Sequence, residues 1–117
     1  MMKTLIMVAL GGALGACLRY LVGLTVDFPL GTLAVNVAGS LAIGVVWVAL
    51  AEKALLLPFL MTGLLGGFTT FSAFSLDTMR LLETGRAAVA FSYVGASVIL
   101  SLAACLLGLW VAREVLA

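Results

Sequence analysis

Charged residues divide the chain into four long apolar runs. Lys3 precedes the first, about Thr4 to Val26, and Asp27 closes it. The second extends from about Leu30 to Ala51 and stops at Glu52 and Lys53. The third starts near Leu55, stays uncharged as far as Leu76 and reaches about Glu83. The fourth runs from about Arg86 to Ala112 and ends at Arg113 and Glu114. A helix that crosses the hydrocarbon of a bilayer needs about 20 apolar residues, so each run is long enough for one span. Pro29 and Pro58 fall where the first turn of a helix tolerates them. The pattern therefore predicts an all-α membrane protein: one four-helix transmembrane domain over residues 1–117, with spans at about 4–26, 30–51, 55–83 and 86–112. The apolar run after Lys3 has the outline of a signal peptide, but it continues to Val26 and is read as the first span.

Composition strengthens this reading. Hydrophobic residues make up 65% of the chain and charged residues 9%, against about 25% charged in a soluble domain. So few charges cannot cover a water-facing surface. The net charge of +1 is too small to argue for a nucleic-acid partner, and there is no basic tail or polybasic patch of the kind that binds anionic lipid. With no His and only Cys17 and Cys105, both in apolar runs, there is no ligand set for a transition metal. The two thiols read as small buried groups rather than as a disulfide.

One stretch of the third run breaks the apolar pattern: Gly66-Gly67-Phe68-Thr69-Thr70-Phe71-Ser72-Ala73-Phe74. Adjacent glycines favour a break and adjacent threonines weaken a helix. Irregular backbone at membrane depth persists only where protein buries it or a watery cavity meets it. The third helix is therefore expected to be broken here, for a functional reason. Polar residues inside the other runs are candidates by the same logic. Asn36 shares a face with Thr32, Gly39 and Ser40. Its amide suits either a path lining or an interhelical hydrogen bond. Tyr93, Ser97 and Ser101 recur every four residues and form one stripe. Arg19 lies near the end of the first run, where an arginine can snorkel to the interface, attract anions in a vestibule, or clamp a neighbouring helix.

Asp27, Glu52, Glu83 and Glu114 sit at span ends, and Asp77 is read as near the end of the third. With no carboxylate at mid-membrane, the inventory of hydroxyls, one amide, phenyl edges and an arginine suits an anion or neutral solute better than a cation. No base stands beside Ser72, Ser97 or Ser101 to activate a nucleophile, so the chain is not an enzyme. Small residues spaced by four (Gly11 and Gly15, Gly12 and Ala16, Ser40 and Gly44, Gly63 and Gly67, Ala104 and Gly108) allow close helix approach. They serve packing within one chain or a dimer contact. Four thin helices can hardly enclose a selective path, which points to an oligomer. Lys3, Lys53 and Arg113 fall on one side of the membrane and Arg19, Arg80 and Arg86 on the other. Such balance gives no orientation by the positive-inside rule. It fits either too few charges to carry information or a chain that inserts both ways and pairs antiparallel.

Taken together, these motifs resemble the fluoride ion channel family called Fluc or CrcB, over nearly the whole chain. The residues that carry the resemblance are Gly11 to Tyr20, Gly31 to Ser40, and above all Gly63 to Phe74. The resemblance implies an antiparallel, dual-topology homodimer with two pores at the subunit interface, in which the broken third helices cross at the centre. It implies a structural sodium ion there, held by the backbone carbonyls of Gly66 and Thr69 from both subunits. It assigns Phe71 and Phe74 to the pore wall, Asn36 as a donor to fluoride, and Ser72, Tyr93, Ser97 and Ser101 to the polar track. Arg19 matches the first-helix arginine, as vestibule charge or structural anchor. Where the family usually carries Thr after the first pore phenylalanine and Ser, this chain has Ala73, one hydroxyl fewer. The implied function is passive, highly selective fluoride export across a microbial plasma membrane. The alternatives are a small proton-coupled multidrug exporter, which the missing first-helix carboxylate disfavours, and a purely structural membrane subunit.

Overall fold

The computed structural model describes residues 1–116. Those residues form helices and turns, with no strand among them. Helix α1 covers Met2–Thr25 and α2 covers Leu30–Ala49. A π-helical segment, Pro58–Leu65, runs directly into the short α3, Gly66–Phe68. After a two-residue break, α4 covers Phe71–Glu83, and α5 covers Ala87–Leu116. Four helical stretches are thus long and apolar enough to cross a membrane, the third being the broken one, Pro58–Glu83. At a rise of about 1.5 Å per residue, even a 20-residue helix such as α2 spans the hydrocarbon core.

The helix ends follow local chemistry. Between α4 and α5 the backbone turns at Gly85, whose φ of 78° suits a residue without a Cβ. Gly85 N–H donates to Leu82 and Arg86 N–H to Leu81. This reciprocal pattern satisfies two carbonyls that the end of α4 would otherwise leave bare. The fourth helix runs past Arg113 and Glu114, beyond the end expected from the charges. Those side chains project from its last, exposed turns.

Packing divides the bundle into two close pairs. α1 lies on the π-helical segment and α3, and α2 lies on α5. Glycines set both contacts. Gly11 and Gly15 rest on the backbone of Phe59, Gly63 and Leu64, and Gly67 rests on Gly12, where an added Cβ would lie 2.6 Å from a carbonyl oxygen. In the second pair Gly44 meets the backbone near Cys105 and Leu109, and Gly108 meets Leu41 and Val45. The small-residue spacing therefore serves helix packing inside one chain at these positions. In lipid this is where close approach gains most, because association there depends on van der Waals contact rather than on expelling water. The pairs are joined by α4, which reaches α5 through a small core of Leu81, Ala90 and Tyr93 with Leu33 and Phe74 against it.

Candidate functional site

The break at Thr69 and Thr70 is held by side chains rather than by helical hydrogen bonds. Both threonines are extended, with ψ of 157° and 119°. Asn36 of α2 meets Thr70 in two directions: its Nδ2 donates to the Thr70 carbonyl (2.9 Å) and its Oδ1 accepts from the Thr70 amide (2.7 Å). Reversing the amide would set donor against donor, so the pairing defines which atom is which. Thr70 Oγ1 then caps α4 by accepting from Ala73 N–H (3.0 Å). Thr69 Oγ1 turns back to the Leu65 carbonyl (2.8 Å). From α1, Arg19 Nε donates to the Gly67 carbonyl (3.0 Å). Gly39 of α2 lies directly under the Thr69 side chain, where any Cβ would collide with it.

Among the described residues, no hydrogen bond within the protomer reaches the carbonyls of Gly66 and Thr69. The reason is local. Their helical partners would be the amides of Thr70 and Ala73, and those donate to Asn36 and to Thr70 Oγ1 instead. Both residues line the same open cleft. Bare carbonyl oxygens are hard ligands of the kind that suit an alkali or alkaline-earth cation. No group of three His, Cys, Asp or Glu is arranged for a metal among the described residues, so a cation at this place would depend on backbone oxygen.

That cleft has a volume of about 410 Å³ and no charged residue in its wall. α2 supplies Asn36, Gly39 and Ser40, the break supplies Gly66, Thr69 and Thr70, α4 supplies Phe71 and Phe74, and α5 supplies Ser97 and Ser101. Phe71 and Phe74 are one turn apart, with ring centroids separated by 5.5 Å and planes tilted by 58°. Phe74 in turn packs 5.4 Å from the Tyr93 ring. Phe71 is 79% exposed on the single chain. Ser97 is buried to 6% exposure, yet its hydroxyl has no partner. A buried polar atom left bare is costly, and Ser97 is one of the residues around the cleft.

Not every residue expected in the polar track reaches that wall. Ser72 is exposed on the first turn of α4, 3.2 Å from Thr70 Oγ1, and lines neither of two clefts. Tyr93 lies in the core at 4% exposure, and its hydroxyl donates to Asp77 Oδ2 (3.3 Å). Sequence reasoning read Asp77 as near the end of the third span but missed its burial. In the span that ends at Glu83 it is a buried acid on the inward face of α4, three residues after Phe74 and four before Leu81. The break explains the difference: it restarts the helix at Phe71, so α4 has its own inward face. The spacing from Phe74 and Leu81 was the available signal.

Arg19 stands at a second cleft of about 320 Å³, with Thr32, Thr70 and Ala73 among its neighbours. The first-helix arginine thus both anchors the backbone of α3 and lines a cavity. Ala73 belongs to this cleft and not to the one between Phe71 and Ser97.

A family model described as CrcB-like protein, Camphor Resistance (CrcB), matches residues 6–109. The chain belongs to the CrcB family. Its relatives include the fluoride-specific ion channel FluC of Paracoccus denitrificans, 56% identical over 124 residues that cover 100% of each chain. The protein of the same name from Cereibacter sphaeroides is 53% identical and covers 97% of each. That of Roseobacter denitrificans is 52% identical, covering 97% of this chain and 98% of its own. Four apolar helices and CrcB-family membership make this a multi-pass membrane protein. Ala73 and Arg19 line the same cleft.

Proposed function

We propose that this chain is a passive, highly selective fluoride channel of the plasma membrane, which lowers cytoplasmic fluoride by letting it leave down its electrochemical gradient. The observation that carries the reading is the uncharged cleft, with phenyl rings on one wall and, on the other, serines of which Ser97 has no hydrogen-bond partner. The edge of a phenyl ring is the positive part of its quadrupole, so Phe71 and Phe74 can face an anion. Ser97 and Ser101 offer hydroxyls, and Asn36 keeps a second amide hydrogen after its bond to Thr70. Small, strongly hydrated fluoride needs such donors in close array to replace water, while larger chloride fits a narrow track poorly. The names of the relatives support the same substrate.

The conducting unit in this reading is an antiparallel, dual-topology homodimer. On one protomer the cleft is open, with Phe71 almost wholly uncovered. Polar backbone and hydroxyls would then face hydrocarbon, which is costly. A second copy placed over this face would cover the break and complete two paths. The bare carbonyls of Gly66 and Thr69 fit a structural sodium ion shared by both copies, which would tie the two breaks together. Ser72 and Tyr93 remain candidates for the track beyond the cleft, Ser72 on the uncovered face and Tyr93 through its contact with Phe74.

A proton-coupled exporter would need an intramembrane carboxylate free to exchange a proton for substrate. Asp77 is the buried acid among the described residues. It is held by Tyr93, has Arg80 beside it and does not line the cleft, so that alternative is not pursued. The test is efflux from proteoliposomes of purified protein, followed with a fluoride electrode. Rapid fluoride release with no chloride release is expected. No fluoride release, or equal chloride release, would overturn the proposal.

A further inference from the structure

We infer that Arg80 is a positioning residue near one end of the fluoride path, set there to cancel the charge of Asp77 and hold anions near that mouth. The inference rests on the channel reading above. A chain of contacts leads from the cleft to this arginine. Phe74, on the cleft wall, packs on Tyr93, and the Tyr93 hydroxyl donates to Asp77. The other carboxylate oxygen of Asp77 faces Arg80, 3.9 Å from its Nη1. That pair is the one salt bridge among the described residues. The guanidinium also lies over the ring of Phe28, 4.2 Å from its centre. Phe28 belongs to the connection between α1 and α2, so Arg80 is braced from two separate parts of the chain.

An uncompensated carboxylate beside an anion path would repel the permeating ion. Arg80 sits at the C-terminal end of α4 and is more than half exposed. Its charge therefore acts both on Asp77 and on the water at the mouth, where a cationic surface raises local anion concentration. A stacked guanidinium over an aromatic face keeps its position at little entropic cost. The cleft has no charge of its own, so a single cation at its approach has no competitor within the wall.

The test compares fluoride flux through wild-type, Arg80→Gln and Arg80→Lys protein in proteoliposomes at low and high ionic strength. A unit charge about 4 Å away through water changes ion occupancy by about fivefold, the upper limit here. Arg80→Gln should therefore lower flux at low salt by up to about fivefold, and the deficit should shrink as salt screens the mouth. Arg80→Lys should retain most of the flux, and Asp77→Asn with Arg80→Gln should recover flux relative to Arg80→Gln alone. A purely structural role would make Lys and Gln equally harmful and the loss independent of salt; either result overturns the inference. So does wild-type flux in Arg80→Gln at low salt. Absence of fluoride flux in the wild type would instead remove the channel reading on which the inference stands.

Discussion

Asn36 offers the sharpest test of how the break is built. Its side chain replaces two backbone hydrogen bonds that an unbroken helix would have made to Thr70. Asn36→Ala removes both partners at once and leaves the Thr70 N–H and C=O without replacement. An orphaned polar group costs about 1–3 kcal/mol. The site is half-buried and adjoins an open cleft that water can enter, so the lower end applies to each group, a loss of about 2 kcal/mol per protomer. Asn36→Asp separates the two functions of the side chain. Its carboxylate still accepts from the Thr70 amide but turns an oxygen toward the Thr70 carbonyl, and it puts negative charge on the cleft wall. Both variants should unfold at lower denaturant concentration in detergent, followed by the fluorescence of Trp47 and Trp110 on the α2–α5 pair. Asn36→Asp should in addition block fluoride efflux from proteoliposomes. Unchanged stability of Asn36→Ala would show that the amide does not hold the break. Wild-type efflux in Asn36→Asp would show that the cleft is not an anion path.

Two further outcomes follow from the geometry. Phe71→Ile and Phe74→Ile keep bulk but remove the ring edge, so each should abolish fluoride efflux while the protein still folds; unchanged efflux in both would remove the edge-on mechanism. Gly15→Ala would press a methyl into the Leu64 carbonyl and to 2.8 Å from the Phe68 amide, and such overpacking should destabilise the fold by about 1–3 kcal/mol. Gly23→Ala and Gly95→Ala are the controls, since nothing lies within 4 Å of either added methyl. Denaturation that ranks all three alike would refute the close-packing account.

How much was legible before folding depended on the range of the interaction. The four spans were readable because the requirement for apolar length is local and one-dimensional. The break was readable too, since Thr69 and Thr70 weaken a helix through their own side chains, although Gly66 and Gly67, expected to favour it, stay helical. The glycine spacing announced close packing, but not which helices it joins. That choice emerged only when Gly11 met Gly63 and Gly44 met Cys105 and Leu109.

Within the site, sequence placed Asn36, Phe71, Phe74, Ser97 and Ser101 as candidates, and the fold gathers them around one cleft. It could not apportion the stripe on α5. Tyr93 and Ser97 look equivalent by spacing, yet one hydroxyl finds Asp77 and the other finds nothing. The difference lies in where the restarted α4 crosses α5, a relation between helices that no local preference encodes. The burial of Asp77 was illegible for the same reason. Its burial follows from the new helical phase that begins at Phe71, set by the Thr70 cap and by Asn36, more than thirty residues earlier in the chain. By itself, then, the sequence determined that four apolar helices cross a membrane and that the third must break. Only the tertiary structure decided which atoms the break leaves free, because that depends on partners arriving from α1 and α2 to take the others.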